Sequence, residues 1–150
     1  MKSSNFQNYK ESTGLLFWQA YMLWQRKIKE TLQPYNLTHT QFVILAVIEE
    51  LCEQNECVTQ KKISDFSMID VMTVSSAVRL LEKKELIYRV PHQTDTRANS
   101  LSNTKYGKEI LVKAVKKIDK IDVNFFFSEK QENIEFHNSL FKLTEKNKVI

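Results

Sequence analysis

Residues 58–103 read VTQKKISDFSMIDVMTVSSAVRLLEKKELIYRVPHQTDTRANSLSN, and this stretch decides the fold of the chain. Thr59 is placed to cap a short helix that runs to about Phe66, with Ile63 and Phe66 expected to point inward. A second helix then begins at Asp70 or a neighbour and continues to about Lys84. Its core face is predicted from apolar residues spaced at i, i+3, i+4 and i+7, namely Val74, Ala77, Val78 and Leu81.

The opposite face of that second helix is small, hydroxylated and basic. It collects Met72, Ser75, Ser76, Arg79 and Lys83, while Glu82 lies to one side. Short and basic side chains on such a face allow close approach to a DNA groove. We therefore take this face as the candidate functional surface.

A β-hairpin is predicted after the second helix. Residues 86–90 have the apolar and β-branched pattern of a strand, residues 91–96 form a polar turn, and residues 98–102 form a return strand. Two helices joined by a short turn and followed by a hairpin predict a winged helix-turn-helix. The geometry suits DNA, because a major groove about 12 Å wide admits one α-helix. A hairpin beside that helix can place an Arg in the neighbouring minor groove.

Charge is concentrated in the same part of the chain. Residues 58–120 carry 13 Lys and Arg against 7 Asp and Glu, a net charge of +6, while residues 1–57 and 121–150 are each at −1. A polyanion is therefore attracted to the middle of the chain. A solvated lysine-rich surface would give the same count, so charge by itself does not decide between the two interpretations.

Long helices are predicted on both sides of the winged segment. The first spans about 12–33 and ends at Pro34; Thr38 and Gln41 then form a capping box for the next helix. A third long helix starts near Thr104, and a second capping box at Ser128 opens a last helix. Its inward side chains are predicted to be Ile134, His137, Leu140 and Phe141.

Several classes of function are excluded or disfavoured by composition. The only glycines, Gly14 and Gly107, stand alone, so no glycine-rich phosphate loop can be built. No nucleophile–base set is visible, and Cys52, Cys57 and His39 do not form a recognisable metal site, so we expect no enzyme, cofactor or metal. No apolar run approaches the roughly 20 residues of a membrane helix, and no signal-peptide pattern opens the chain. These features predict a cytoplasmic protein with reduced cysteines.

The ordered spacing of short motifs resembles the MarR (multiple-antibiotic-resistance regulator) family of winged helix-turn-helix transcription factors. The matching residues are Leu37-Thr38-x-x-Gln41-Phe42-x-Ile44-Leu45, Thr59-Gln60-Lys61-Lys62-Ile63-Ser64, Val74-Ser75-Ser76-x-Val78-x-x-Leu81-Glu82-Lys83-Lys84, Ile87-x-Arg89, Asp95-Thr96-Arg97-Ala98 and Thr104-x-x-Gly107. The resemblance covers about residues 15–143.

The resemblance implies a mainly α fold with a small β-hairpin wing, in one domain spanning residues 1–150. A DNA-binding lobe at about 37–103 would be joined to dimerisation helices at about 12–33 and 104–147. The implied function is that of a homodimeric, ligand-responsive repressor that binds a pseudo-palindromic operator in double-stranded DNA. The alternative is a winged-helix protein-interaction module that has lost specific operator binding.

The candidate DNA-binding residues lie on the two short helices and in the wing. For Arg79 and Arg97 we favour DNA contact over solvation or bracing of the wing by an Arg97–Asp95 pair. Arg89 either steadies the wing or reaches a phosphate, and His92 is a wing residue that can equally be plain surface. The full set is Lys61, Lys62, Met72, Thr73, Ser75, Ser76, Arg79, Arg89, His92 and Arg97.

Aromatic residues of the first helix are candidates for effector binding. Trp18, Tyr21 and Trp24 either line a pocket for a small aromatic effector, as the resemblance suggests, or pack the dimer core, which is the interpretation we prefer. The cysteines are expected to be ordinary thiols, because peroxide-sensing relatives carry their reactive cysteine near the start of the first helix, where this chain has none.

Three positions depart from the family pattern. Glu85 stands where a glycine is usual between the recognition helix and the strand, so either the turn closes without a left-handed residue or Glu85 is strained there. The wing has Asp95-Thr96-Arg97 in place of Asp-Arg-Arg, one cation fewer. Asn103 replaces an apolar residue before Thr104. These differences concern operator affinity rather than the fold.

Overall fold

The computed structural model describes residues 8–91, 99–127 and 130–148. Six α-helices and one hairpin make up these residues: α1 (Thr13–Leu32), α2 (His39–Glu53), α3 (Gln60–Ser67), α4 (Val71–Lys83), β1 (Ile87–Pro91), β2 (Asn99–Asn103), α5 (Lys105–Phe126) and α6 (Lys130–Asn147). Short 3₁₀ turns at Tyr9–Glu11 and Gln33–Tyr35 flank α1. The predicted mainly α winged helix-turn-helix fold is confirmed.

Side-chain caps set where most helices begin. Thr38 and Gln41 form the predicted capping box, with Gln41 N donating to Thr38 Oγ1 at 3.1 Å and Thr38 N donating to Gln41 Oε1 at 3.2 Å. Thr59 caps α3 and Thr104 caps α5 in the same way, each accepting a backbone N–H three residues on. These bonds satisfy N–H groups that have no partner within the helix. The predicted cap at Ser128 lies outside the described residues.

Helix α2 is the centre of the core and contacts α1, α3, α4, α5 and β2. We call residues 37–103, as far as they are described, the winged lobe, and α1, α5 and α6 the helical lobe. The core fills the winged lobe and extends to the C-terminal half of α1 and the middle of α5. The largest fully buried side chains are Ile28, Leu32, Ile44, Leu45, Ile48, Ile63, Leu81, Leu86, Leu101, Val58, Val74 and Val78.

The hairpin is antiparallel and pairs Ile87 with Asn103 and Pro91 with Asn99. Pro91 therefore ends strand β1 and does not begin the turn, which corrects the boundary expected from the sequence; a proline is tolerated at such an edge position. Leu101 is buried and its backbone N–H donates to the carbonyl of Val58 at 2.8 Å, which attaches β2 to the segment before α3.

The turn between α4 and β1 closes with Glu85 in the left-handed region at a φ of 60°. Leu86 N donates to Leu81 O at 3.0 Å and Glu85 N donates to Glu82 O at 2.9 Å, the paired bonds of a Schellman motif. The backbone conformation that glycine normally supplies is thus retained by a side chain that is strained there. Of the two outcomes expected for this turn, the structure shows the one with Glu85 in the left-handed region.

Gly107 joins the hairpin to α5. A Cβ at this position would lie 2.1 Å from the carbonyl oxygen of Leu86, so only glycine lets the helix approach the strand so closely. The same carbonyl accepts the N–H of Thr104 at 3.0 Å, and Thr104 Oγ1 donates to Glu85 O at 2.7 Å. The winged and helical lobes are therefore joined backbone to backbone.

Asn103, the polar replacement before Thr104, is buried against α2. Its amide donates to Leu45 O at 2.9 Å and to Glu49 Oε2 at 3.0 Å. Lys108 approaches the same carboxylate, with Nζ at 3.8 Å from Glu49 Oε1. The departure from the family pattern thus forms a polar tie between α2 and the start of α5.

Two predictions of inward-facing side chains are wrong for the single chain. Phe66 is 52% exposed one residue before the end of α3, where the described part of the chain leaves it largely uncovered. On α6, Ile134, His137 and Phe141 are exposed and Leu140 is half-buried. Within the described part of this chain that side of α6 is covered only around Leu140, although its spacing is that of a buried helix.

Candidate nucleic-acid interface

Helix α4 presents one buried and one open face. Val74, Val78 and Leu81 are completely buried and Ala77 nearly so, as the apolar spacing predicts. This packing fixes the rotation of the helix about its axis, so the side chains 180° away must face outward. The orientation of the candidate surface therefore follows from the core.

The turn between α3 and α4 is held by two serines. Ser64 Oγ donates to Ile69 O at 2.6 Å, and Ser67 Oγ accepts the N–H of Ile69 at 3.2 Å while donating to Ile63 O at 2.6 Å. Met68 takes the left-handed conformation at a φ of 65°, and its N–H donates to Ser64 O. Hydroxyl bonds of this kind replace the missing backbone partners of a tight turn, so α4 has a defined angle to α3.

Asp70 starts α4, as one of the predicted choices. Its carboxylate accepts the N–H of Thr73 at 2.9 Å and the Thr73 hydroxyl at 2.6 Å. The hydrogen bonds from the side chain and backbone of Thr73 hold the pKa of this carboxyl below its ordinary value of 3.8. A negative charge therefore stands at the N-terminus of the helix.

The outer face of α4 contains the predicted candidates together. Met72 is 81% exposed, Ser76 and Arg79 are exposed, and Ser75 is half-buried. Arg79 Nη2 lies 3.4 Å from Ser75 Oγ, a long bond that leaves most of the guanidinium donors available. Lys83 is also exposed on this side and extends the basic surface by one turn.

Lys61 and Lys62 lie on α3, exposed but with acidic neighbours. Lys61 Nζ is 3.6 Å from Asp65 and Lys62 Nζ is 3.3 Å from Glu56. Both pairs are largely in solvent and so contribute little to stability. Either lysine can exchange its carboxylate for a phosphate at small cost.

The side chain of Arg89 on β1 contacts α4. Its Nε donates to Glu82 Oε1 at 2.6 Å, and both side chains are about one-third exposed. This charge-assisted bond holds the wing against the side of α4. The geometry supports the bracing role among the two interpretations given for Arg89. His92 and Arg97 lie outside the described residues.

Lys84, which sequence reasoning does not single out, connects the end of α4 to the start of α2. Its Nζ donates to Asn36 O at 2.6 Å and to Gln41 Oε1 at 3.0 Å. The partners are 48 and 43 residues away in sequence, so no local sequence pattern predicts these contacts. Lys83 beside it has the same charge, so residue type alone does not distinguish the exposed lysine from the one that joins two helices.

The three aromatic candidates of α1 do not all line one cavity. Tyr21 and Trp24 line a cleft of about 530 Å³ with Phe17, Phe126, Phe136 and Leu140, while Trp18 lies outside its lining. The lining is almost wholly apolar. Trp24 is fixed there, because its indole N–H donates to Asp122 Oδ1 at 2.8 Å.

His39 lies where α1, α2 and α5 meet. Its ring is edge-on to Trp24 at 5.1 Å and stacks on Phe42 at 6.4 Å, with Nδ1 3.1 Å from Gln25 Oε1. Burial lowers the pKa of His39 below 6.5, and the nearby Asp122 carboxylate opposes that shift. The imidazole is therefore stabilised in its neutral form at neutral pH.

The remaining chemical groups are isolated in the described part of the chain. Cys52 and Cys57 are half-buried free thiols, with Cys52 Sγ 3.9 Å from Leu101 O. Among residues 8–91, 99–127 and 130–148, no three His, Cys, Asp or Glu side chains group closely enough to hold a metal ion. None of the described helices combines the length and apolarity needed to cross a membrane.

Comparison with known proteins gives the family from sequence. A sequence model described as the MarR family matches residues 37–98. The HTH-type transcriptional regulator YdcH of Bacillus subtilis is 42% identical over 131 residues, which is 87% of this chain and 89% of the relative.

Two solved structures are similar in fold. The MepR protein of S. aureus, in a complex with DNA, superposes with a TM-score of 0.80 at 22% identity, covering 93% of this chain and 99% of MepR. Bordetella bronchiseptica BpsR, whose DNA binding is regulated by 6-hydroxynicotinic acid, gives a TM-score of 0.83 at 20% identity, covering 93% and 97%.

Proposed function

Since the chain belongs to the MarR family of transcriptional regulators, we propose that it represses transcription as a homodimer bound to a pseudo-palindromic operator. Each protomer places α4 in a major groove, and the two half-sites lie about one helical turn, roughly 34–36 Å, apart. Residues 37–103 form the DNA-binding lobe, and helices within 12–33 and 104–147 form the dimer. The activity is regulation rather than catalysis, and its place is the cytoplasm.

The observation that carries the proposal is the outer face of α4. A helix whose inner face is completely buried presents Met72, Ser76, Arg79 and Lys83 to solvent, with no acidic side chain among them. Small residues beside two long cations allow a groove wall to approach while phosphates are neutralised. MepR, similar in fold, is in a complex with DNA.

Roles are proposed for the candidate residues by their position. Arg79 contacts a guanine edge or a phosphate, and Lys61 and Lys62 contact phosphates. Arg89 positions the wing through its bond to Glu82. Arg97 and His92 contact DNA from the wing. Met72, Thr73, Ser75 and Ser76 face the bases.

An effector shifts the repressor between states of different DNA affinity. The apolar cleft beside Tyr21 and Trp24 has the size and lining for a small aromatic ring. BpsR responds to 6-hydroxynicotinic acid, a small aromatic acid. Such a ligand changes DNA affinity only if it binds the dimer more tightly at one distance between the two recognition helices than at another.

The test is a fluorescence-anisotropy titration on a labelled duplex from the region upstream of the chain's own gene. Wild-type affinity falls with salt. Arg79→Ala reduces the slope of log K against log salt by about 0.9 for each phosphate that the arginine neutralises, or about 2 per dimer. Lys142→Ala on α6 is the matched control, because it removes a cation from the helical lobe and leaves the slope unchanged.

A second candidate function is a protein-interaction module. It is favoured by the exposed apolar side chains Phe66, Met68 and Val71 next to the outer face of α4. Absence of duplex binding at low salt, with the dimer intact, contradicts operator binding and leaves this second function.

A further inference from the structure

The outer face of α4 has two chemically different halves. Its N-terminal half exposes the apolar side chain of Met72, which is 81% exposed on the centre line of that face, and the exposed side chain of Val71 lies next to it. Its C-terminal half carries the cations Arg79 and Lys83. A thioether left in water at the centre of a binding face indicates an apolar partner, because burying it releases the water around it.

Hydrogen-bonding groups in the first turn are already used. The Thr73 hydroxyl donates to Asp70 Oδ2 at 2.6 Å, and the other Asp70 oxygen accepts the N–H of Thr73. The Asp70 carboxylate also makes this end of α4 unfavourable for phosphates and for the two acceptors that guanine presents. Little direct polar readout of bases is left to this turn.

The side chains that specify adenine and guanine are missing from the first two turns. Residues 71–78 read VMTVSSAV and contain no Asn, Gln, Arg or Lys. Bidentate recognition of adenine requires Asn or Gln, and that of guanine requires Arg or Lys. Thymine is the base that presents a methyl group in the major groove, and apolar side chains contact it.

We propose that Met72, with Val71 beside it, reads thymine through its 5-methyl group, so that thymine occupies the base positions beneath the N-terminal half of α4. Arg79 and Lys83 then anchor the other half of the helix. This inference rests on the proposed function, since it requires α4 to enter the major groove.

The experiment uses a duplex that the wild-type dimer selects from a randomised library, so no operator needs to be known beforehand. Each thymidine of the half-site is replaced in turn by deoxyuridine, which removes only the methyl group. Affinity is measured by fluorescence anisotropy at one fixed salt concentration.

One thymine position in the half-site is expected to be sensitive. Deoxyuridine at that position in one half-site weakens wild-type binding about fourfold relative to the thymidine duplex, the equivalent of losing one buried methylene. Replacement in both half-sites weakens binding about 15-fold. Met72→Ala binds the two duplexes equally, whereas Met72→Leu keeps the preference because it keeps an apolar side chain. The side chain is exposed and both replacements favour a helix, so the variants fold.

Lys83→Ala is the matched control on the same line of the helix. It weakens binding to the thymidine and deoxyuridine duplexes by the same factor, since a phosphate contact does not sense a methyl group.

A salt-dependent complex in which no thymidine is sensitive to deoxyuridine, or in which Met72→Ala keeps the full preference, overturns the recognition of thymine and leaves operator binding standing. If no duplex is selected at low salt, the proposed function fails as well, and Met72 then belongs to a surface for a protein partner.

Discussion

The winged lobe and the helical lobe have similar apolar patterns, but the winged lobe buries most of its pattern within one chain, whereas the helical lobe buries only part of its own. Val74, Val78 and Leu81 of α4 are completely buried. On α1 and α6, large apolar side chains at equally regular spacing are exposed, namely Leu16, Phe17, Trp18, Leu23, Ile134 and Phe141. An exposed apolar surface of that extent marks an interaction site, which is the basis for assigning it to the proposed dimer.

The contrast runs through a single helix. Phe17, Tyr21, Trp24, Ile28 and Leu32 lie on one stripe of α1, yet Ile28 and Leu32 are fully buried and Phe17 is 57% exposed. The C-terminal half of α1 packs on the winged lobe, whereas its N-terminal half extends past it. The stripe therefore belongs to two surfaces, one within the chain and one offered to a second chain.

The largest expected effect is in the winged core. Leu81→Ala lowers the free energy of unfolding by about 2–5 kcal/mol, because the cavity left in a fully buried site adds to the lost burial. Leu80→Ala, one residue earlier and 48% exposed, is the matched control and changes it far less. Chemical denaturation measures both; equal losses would mean that the two faces of α4 are not distinct.

Next in size is the effect on assembly of the helical lobe. Phe17→Glu places a charge on the exposed apolar surface of α1 and weakens the dimer by about 2 kcal/mol or more, at least 30-fold in dissociation constant. Sedimentation equilibrium over a range of protein concentration measures it. Leu80→Glu puts the same charge on the winged lobe and leaves the dimer intact; dissociation by both variants would refute the division of surfaces.

The junction between the lobes gives a prediction with two signs. Gly107→Ala destabilises the protein by about 1–3 kcal/mol or more, since the new Cβ meets the Leu86 carbonyl and forces α5 away from β1. Gly14→Ala meets nothing within 4 Å inside α1 and stabilises it by up to about 1 kcal/mol. Thermal unfolding measures both variants. Melting temperatures that shift in the same direction for the two would contradict this account.

The smallest effect is a dependence on pH at His39. Because burial lowers its pKa in the folded state, the unfolded chain binds the proton more readily. Stability is therefore fully present above pH 6.5 and decreases as the pH falls below that value toward the lowered pKa of the folded state.

Denaturation of the wild type and of His39→Gln between pH 8 and pH 5 isolates this contribution from that of the carboxyl groups. As the pH falls, the wild type loses stability relative to His39→Gln. His137→Gln, which replaces an exposed histidine of α6, is the matched control for the loss of an imidazole elsewhere in the chain. A difference that stays constant across this range would show that His39 is not held neutral by burial.

The parts of the fold that were predicted correctly depend on residues close in sequence. The caps at Thr38, Asp70 and Thr104 each join a side chain to an N–H three residues away. The core face of α4 was predicted from a period of 3.6 residues within one helix. Phe66 was assigned wrongly by the same method, because periodicity gives the face of a helix but not what lies opposite it.

The candidate site was only partly visible in the sequence. The outer face of α4 follows from its core face and was predicted correctly as a surface, whereas its division into an apolar and a cationic half required the exposure of Met72 and the hydrogen bonds of Asp70. The pair between Arg89 and Glu82 joins a strand to a helix, so sequence left two roles for Arg89 open.

By itself the sequence determined the family, the order of the elements and the rotation of α2 and α4, because these depend on local spacing and caps. Tertiary structure alone decided that Lys84 binds Asn36 and Gln41 and that Asn103 joins the start of α5 to α2. It also decided that position 107 has no room for a side chain. The physical reason is that such contacts depend on how the chain turns between distant segments. A helix stripe records only that some surface covers it, whether from its own chain or from another.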